Sequence, residues 1–474
     1  MSYRYGNKEQ RGLFPPSIEE YVKPDDPVRA YDAIVESFDF WELGIELDSD
    51  KVGCPQYDPK AMLKLLVYGY SYGIRSSRKL ERATYHNVSF IWLMGGLKPD
   101  HKTIAEFRRK NKEALKKVLK QCARLCIELD LIAGNTLFAD GSKIRANASI
   151  KNTWDKKKCE RYLRKIDKHI DAILSECDVV DKKEEGQSSL IEMEEELKDK
   201  KKLKSKVEKI LKDLEEKKEK SKNTTDSECT RINSTQGSHA GYNGQLVVDE
   251  KHGLIVNSDV VSENNDVSQF ANQIEQANKT LGKKCERACA DSGYADTDEL
   301  EKIDKQEIKV IVPSQRQASK KEPKAFDKEK FHYDKKKDCY ICPEGHVLKF
   351  RYVKDQKAKI YIIRERALCF NCRHFGLCTK AKTGRTISRL IKEEVRERLE
   401  TQYEQPESQE IYKLRMQKAE LPFGHIKRNL NVNAFLLRGL EGVKAEMSLL
   451  ASCFNVSRMI TILGVEGLVK KLAT

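Results

Sequence analysis

Nowhere in this 474-residue chain do eighteen or more apolar residues run together, so no membrane-spanning helix of ordinary length is expected. The opening stretch, MSYRYGNKEQRG, has no apolar h-region, and a secretory signal is not expected either. No G-x-x-x-x-G-K-[ST] loop occurs, which argues against a P-loop that cradles nucleotide phosphates. Dense cysteine is also missing. The 14 cysteines are scattered through a large charged chain instead of being packed into a short secreted one, so most read as buried thiols and not as a disulfide framework.

What the chain has in abundance is positive charge. A formal net charge of +15 points to a polyanionic partner, because each phosphate neutralised by a cation releases counterions and strengthens binding. Nucleic acid is the first candidate, and a merely solvated lysine-rich surface is the alternative. The length exceeds what one compact core accommodates, so two to four domains are expected.

Along the chain, residues 28–131 read as helices. YDPKAMLKLLVYGYSYG, SSRKLERATYHN and HKTIAEFRRKNKEALKKVLKQCARLCIELDL carry apolar residues at three- and four-residue spacing, with Pro59 and Ser76 placed as helix starts. Arg75, Arg78, Lys79, Arg82, Lys102, Arg108 and Arg109 crowd around short turns, as in a helix-turn-helix that faces a DNA groove. Solvated helix faces would show the same spacing. Residues 156–222 then collapse to Lys, Glu, Asp and Leu. Leu190, Met193, Leu197, Leu203, Val207, Ile210 and Leu214 follow a near-heptad rhythm, broken around Lys200 and Lys201, which predicts a coiled-coil hairpin turning at Gly186. Its charge run reads first as a solvated face, with docking of a partner as the alternative.

Strand signals surround this insertion. NTLFADGSKIRA places a short apolar strand at 136–139, and YNGQLVVDEKHGLIVNSDVVS alternates through 242–262 as a hairpin turning near Lys251 to Gly253. A helix at 266–280, a strand in CERACADSGY, a helix in TDELEKIDK and a strand in IKVIVPS follow. That order predicts an α/β RNase H-like domain, a mixed sheet flanked by helices. Asp140 and Asp291 stand at strand ends that such a sheet lays side by side, each before a tight polar turn. Two carboxylates there supply hard oxygen ligands for Mg2+ or Mn2+, whereas a lone aspartate before Gly or Ser is ordinarily a turn or cap residue.

The segment YKLRMQKAELPFGHIKRN, residues 412–429, offers a third carboxylate, Glu420. With it the chain resembles the DDE transposases of bacterial insertion sequences, in the branch with a Tyr-Arg-Glu-Lys signature around its last acidic residue. The resemblance covers nearly the whole chain. YDPKAMLKLLVYGYSYGIRSSRKLE and PDHKTIAEFRRKN look like the helical N-terminal domain, FADGSKIRANAS and ADSGY like the two aspartate strands, ELPFGHIKRN like the glutamate segment, and FLLRGLEGVKAEMSLLASCFNVSRM like its helical continuation.

The resemblance implies that Asp140, Asp291 and Glu420 form a catalytic triad for two Mg2+ or Mn2+ ions, with Tyr412, Arg415 and Lys427 beside it. It further implies cleavage of terminal inverted repeats and strand transfer into target DNA by direct phosphodiester exchange, a homodimer on DNA, no membrane partner, and a cytoplasmic protein associated with the nucleoid when DNA-bound. One feature departs from the signature. Four residues, not three, separate Arg415 from Glu420, which on an ideal helix sets them about 140° apart. Pro422 and Gly424 are expected to bend or start the helix there. Lys427, seven positions after Glu420, stays within about 20° of its face. Without the resemblance, Tyr412 and Arg415 are open to a packing or surface role.

Two Cys-x-x-Cys pairs, Cys339/Cys342 and Cys369/Cys372, with Cys378 close by, read as a structural Zn2+ site, reduced buried thiols being the alternative. Five cysteines compete for four places, and the resemblance favours Cys342, Cys369, Cys372 and Cys378. The expected organisation is a helical DNA-binding domain at 1–131, the catalytic core in pieces at 132–155 and 223–315, the hairpin insertion at 156–222, a cysteine-rich zinc-ribbon-like insertion at 316–390, and a helical part carrying the glutamate at 391–474. Two rival functions share parts of this reading: an RNase H-like nuclease that nicks without joining, and a zinc-containing DNA-binding regulator without catalysis.

Overall fold

A computed structural model describes residues 17–47, 56–181, 187–216, 221–234, 237–319 and 324–473. These divide into two compact units, the first drawn from Met1–Asp266, Glu275–Lys284 and Met416–Thr474, the second from Val267–Ile274 and Cys285–Arg415.

The first unit is mixed α/β. Its helix Pro59–Ser71 begins where Pro59, with no N–H to satisfy, occupies the first turn and the Asp58 carboxylate accepts from the N–H groups of Lys60 and Ala61. Ser76 precedes the next helix, Ser77–His86, as its spacing predicts. The apolar helix Leu440–Leu463 is buried along most of its length and packs against Lys112–Glu128, Pro59–Ser71 and the strand Ile255–Val261. Asn455 on this helix pins that strand, its side chain exchanging two 2.8 Å hydrogen bonds with the backbone of Ile255. Among the described residues no single helix is long and apolar enough to cross a membrane.

Four strands of this unit position the site: β1 (Thr136–Arg145), β2 (Thr230–Ser234), β3 (Gly237–Asp249) and β4 (Ile255–Val261). All pair antiparallel on the long β3. β1 runs along one edge in register from Leu137 opposite Asp249 to Arg145 opposite Gly241, while β2 and β4 share the other edge. The β3–β4 hairpin turns at Lys251 to Gly253, as the alternation predicts, with Gly253 at positive φ.

β1 corrects one expectation. The strand does not stop at residue 139 but runs on to Arg145, so Asp140 lies mid-strand opposite Leu246. The reason is the partner. Gly141, Ser142 and Lys143 look like turn residues in isolation, but the ladder offered by Gln245, Gly244 and Asn243 keeps them extended. What changes at Asp140 is burial, from buried residues at 136–139 to half-buried ones at 140–143.

The charged insertion is a helical hairpin, Lys156–Asp181 against Gln187–Glu216. Its seam holds Cys159, Ile166, Val207 and Leu214, flanked by Leu163, Ile170, Ile210 and Leu211. Leu203 is not part of it. That side chain is 41% exposed, just after the break at Lys200 and Lys201, where the rhythm slips and the seam resumes at Val207. The Gly186 turn and the side chains of Leu190 and Met193 lie outside the described residues.

The second unit holds the parallel pair β5 (Arg287–Cys289) and β6 (Lys309–Ile311), joined through the helix Thr297–Asp304. It also holds an antiparallel sheet that sequence reading missed: β7 (His332–Asp334), β8 (Cys339–Ile341), β9 (Val347–Lys354), β10 (Ala358–Ile363) and β11 (Thr386–Leu390), each beside its predecessor. Its core is aromatic, with Phe331, Tyr340 and Tyr361 around Leu348, Ile363 and Ile387. The Tyr333 and Tyr361 hydroxyls both donate to Asp338, at 2.7 and 2.5 Å.

Candidate active site

Alternation along β1 sends Asp140 and Ser142 to one face and Gly141 and Lys143 to the other. On the Asp140 face stands Lys427, whose ammonium donates to the Ser142 hydroxyl at 2.5 Å. Burial lowers the pKa of Lys427, and the negative charge of Asp140 opposes that shift. Two of the candidate site residues, Asp140 and Lys427, are thus neighbours. Ser142 joins it, and only the strand pairing could have revealed this, because FADGSK reads as a turn.

On the opposite face a second carboxylate appears that sequence reading did not single out. Asp266 accepts from the buried amides of Asn243 and Gln245, each at 2.7 Å, and pairs with Lys143 at 3.3 Å. Gly141 is what admits it. A Cβ there would meet the Asp266 carboxylate oxygen at 2.4 Å and the Gln245 amide at 2.6 Å. Asp266 therefore packs directly behind the strand that carries Asp140.

In the second unit, Asp291 follows β5 and caps the turn Ser292–Tyr294, one of its oxygens accepting from the Gly293 N–H at 2.7 Å. The other lies 3.9 Å from the guanidinium of Arg415. Arg415 is buried and stacks 5.8 Å from the Tyr412 ring centroid, and Tyr412 meets Tyr403 edge-on at 5.2 Å. Burial raises the Tyr412 pKa. The structure therefore groups Asp291, Arg415 and Tyr412 within this unit.

Arg415, Glu420 and Lys427 share one helix, Pro406–Arg428, which passes through Pro422 without a break. The helix therefore does not start at Pro422, one of the two outcomes expected there; Pro422, Phe423 and Ile426 are all buried, and their packing offsets the missing N–H. The angular offset between Arg415 and Glu420 therefore persists. Arg415 turns inward, whereas Glu420 is exposed and makes no ion pair among the described residues.

The basic residues of the N-terminal helices also divide. Arg108 is buried and donates to the Tyr70 hydroxyl, the Arg75 carbonyl and the Ser77 hydroxyl, and Arg75 pairs with buried Glu446 at 2.7 Å. Both hold the fold instead of facing solvent, a correction to the predicted DNA-facing set. Arg78, Lys79, Arg82, Lys102 and Arg109 remain exposed, Arg109 in a surface pair with Glu106.

Cys342, Cys369, Cys372 and Cys378 line one cavity of about 30 Å³, with His346 and His374 at its wall. Cys339 lies on β8 and does not line it. Three of the sulfurs accept backbone N–H groups: Cys342 from His346 at 3.3 Å, Cys372 from His374 at 3.5 Å and Cys369 from Arg385 at 3.4 Å. Among the described residues, however, no three or more Cys, His, Asp or Glu side chains are drawn together closely enough to hold an ion.

Comparison with known families gives two matches. Residues 16–110 match the transposase domain family DUF772, and residues 341–460 match the transposase DDE domain family. The second span contains Tyr412, Arg415, Glu420 and Lys427, together with the four clustered cysteines. No curated protein and no solved structure matches the chain.

Proposed function

We propose that the chain, a DDE transposase of an insertion sequence by its two matched domains, binds the terminal inverted repeats of its element and catalyses DNA cleavage and strand transfer there. The observation that carries the reading is the pairing of Lys427, inside the matched DDE domain, with the Asp140 face of β1, far outside it. Asp140, Asp291 and Glu420 are assigned as the acidic triad. The catalytic core is read as RNase H-like, supported by the order β1, then after the helical hairpin the three strands β2, β3 and β4, a helix, β5, a helix and β6 between Thr136 and Ile311, one strand (β2) more than the sequence predicted.

By donor type the three carboxylates suit Mg2+ or Mn2+, offering hard oxygens with no soft ligand among them, and because the described residues do not draw the three together around one point, metal and DNA binding have to assemble the site. Two such ions, when bound, stabilise the attacking and leaving oxygens of an in-line displacement at phosphorus. The chain's own groups do the rest. Lys427, steadied by Ser142, presents a cation beside Asp140 where a scissile phosphate is to be gripped. Arg415 orients Asp291 and is itself braced by Tyr412, so both act as positioning residues. Asp266 and its amide partners fix the strand behind Asp140. Cutting two ends and joining them at one target needs two such sites, hence a homodimer on DNA.

A structural Zn2+ held by Cys342, Cys369, Cys372 and Cys378 completes the proposal. Its support is the shared cavity and the N–H donors that would stabilise thiolates, the arrangement of tight cysteine knuckles.

The test is a strand-cleavage assay on terminal-repeat DNA with Mg2+ or Mn2+, run beside a gel shift. Asp140→Asn, Asp291→Asn and Glu420→Gln are each expected to abolish cleavage while sparing binding, and the double variants to add little, because the three residues serve one site. Wild-type cleavage by any of the three would falsify its assignment.

A further inference from the structure

The helical hairpin carries an asymmetry that neither the proposed chemistry nor the heptad seam uses. On the helix Lys156–Asp181, the seam residues Cys159, Leu163, Ile166 and Ile170 fall on one side. Lys157, Arg161, Arg164, Lys165 and Lys168 fall on the other, within an arc of about 100° at 3.6 residues per turn. This stripe borders a groove of about 800 Å³ at the base of the hairpin, which Arg231 of β2 also lines. Seven cations line the groove against two carboxylates, Asp155 and Glu160.

Most of these cations face no carboxylate, although Arg164 donates to the Glu160 carbonyl and Arg231 to the Ser238 hydroxyl. Lys158 is tied inward, donating to the carbonyls of Lys151 and Thr153 and lying over the Trp154 ring at 4.6 Å. The five stripe residues and Arg231 are exposed and form no ion pair among the described residues. Other hairpin lysines do face carboxylates: Lys156 meets Glu215, Lys204 meets Asp167, and Lys200 meets Glu196. A solvated helix face evolved only for solubility gains from such pairing, and leaving one stripe unpaired over an open groove sets up a polyanion site.

We propose that this groove binds the sugar-phosphate backbone of duplex DNA, as a contact separate from the acidic triad and indifferent to base sequence. Its dimensions suit that ligand. Lys157 to Lys168 spans about 16 Å of helix, which matches about five phosphates of one strand at roughly 3.4 Å each. Single-stranded DNA is disfavoured, because among the described residues no aromatic side chain lines the groove and single strands are held largely by stacking. Arginines and lysines without amide or carboxylate readers fix position, not sequence. The proposal rests on the transposase reading for the identity of the polyanion.

The experiment compares the full chain with the quadruple variant Arg161→Gln, Arg164→Gln, Lys165→Gln, Lys168→Gln, binding two fluorescent 30-base-pair duplexes, one terminal repeat and one unrelated sequence, across a salt series. Each lost phosphate contact lowers the log–log salt slope by about 0.9, so a loss of about three to four is expected, with affinity falling at least about tenfold on both duplexes. Circular dichroism is expected to match the wild type, since all four side chains are exposed, and Lys204→Gln, which removes a paired lysine, is expected to bind normally. Unchanged affinity and slope in the quadruple variant overturns the proposal, as does a loss confined to the repeat duplex. Metal-dependent cleavage by the wild type is scored separately: a chain that loses duplex affinity with the stripe yet never cuts repeat DNA keeps the groove and loses the transposase mechanism.

Discussion

Arg75 shows how a residue's chemistry and its placement part company. Read as sequence it belongs to a basic cluster aimed at DNA, yet it pairs at 2.7 Å with Glu446, which is fully buried on the core helix and also accepts from the N–H groups of Leu436 and Leu437. Removing one partner strands a buried charge, so Arg75→Ala is expected to cost about 3–5 kcal/mol in urea unfolding. DNA affinity per folded molecule should be unchanged, and a variant of wild-type stability with weakened DNA binding would reverse the assignment. Glu446 adds a pH signature. Burial raises its pKa in the folded state, with Arg75 and the backbone donors pulling the other way. The native state thus binds this proton more tightly than the unfolded chain does. Its contribution is full below the ordinary carboxylate pKa and is lost as pH rises through the folded value. Glu446→Gln should remove that fall, which a stability–pH series of the two proteins measures. Such placements are invisible in sequence because they depend on a helix more than 350 residues away. That Lys427 shares a helix with Glu420 was legible for the opposite reason: the distance between them is local and helical. Ser142 and Asp266 were missed because strand register, not spacing, brings them to the site.

Elements were legible wherever their signal was local. Pro59 and Ser76 mark helix starts, the β3–β4 turn falls where the alternation breaks, and the helix Thr297–Asp304 lies within its predicted span. Elements that depend on a partner were misjudged. β1 outlasts its apolar run because β3 supplies the ladder, the Pro406–Arg428 helix survives Pro422 because its face is buried, and the sheet from β7 to β11 has an aromatic core drawn from short, weakly alternating pieces. The hairpin allows a direct test of the seam. Leu214 is buried there, and Leu214→Ala should destabilise the hairpin by about 2–5 kcal/mol, read as faster amide exchange across Lys156–Asp181. Leu203→Lys, at an exposed position in the rhythm break, should stay within about 0.5 kcal/mol of wild type. Equal effects of the two substitutions would mean that the seam follows the uninterrupted heptad after all.

At the scale of the whole chain, the two units differ in what holds them. The first rests on a large aliphatic core around Leu440–Leu463, with strands and helices that support one another. Among the described residues, the cysteine-bearing sheet of the second packs around a small cluster, Phe331, Tyr340, Leu348, Tyr361, Ile363, Cys369 and Ile387, and a core of that size ordinarily needs a staple. On the proposed reading, zinc on the four thiols that line the cavity of about 30 Å³ is that staple, since binding of a structural zinc to folded thiolates is folding free energy. Purified protein should therefore carry about one equivalent of zinc by elemental analysis, and Cys372→Ser should release it. The consequence should be regional: amide exchange should accelerate across β7 to β11 while β1, β3 and β4 of the first unit keep their protection. Cys339→Ser should retain the metal, because that thiol does not line the cavity. Metal-free wild-type protein with a fully protected second-unit sheet would show that packing alone suffices, and that the four cysteines are buried thiols of the ordinary kind.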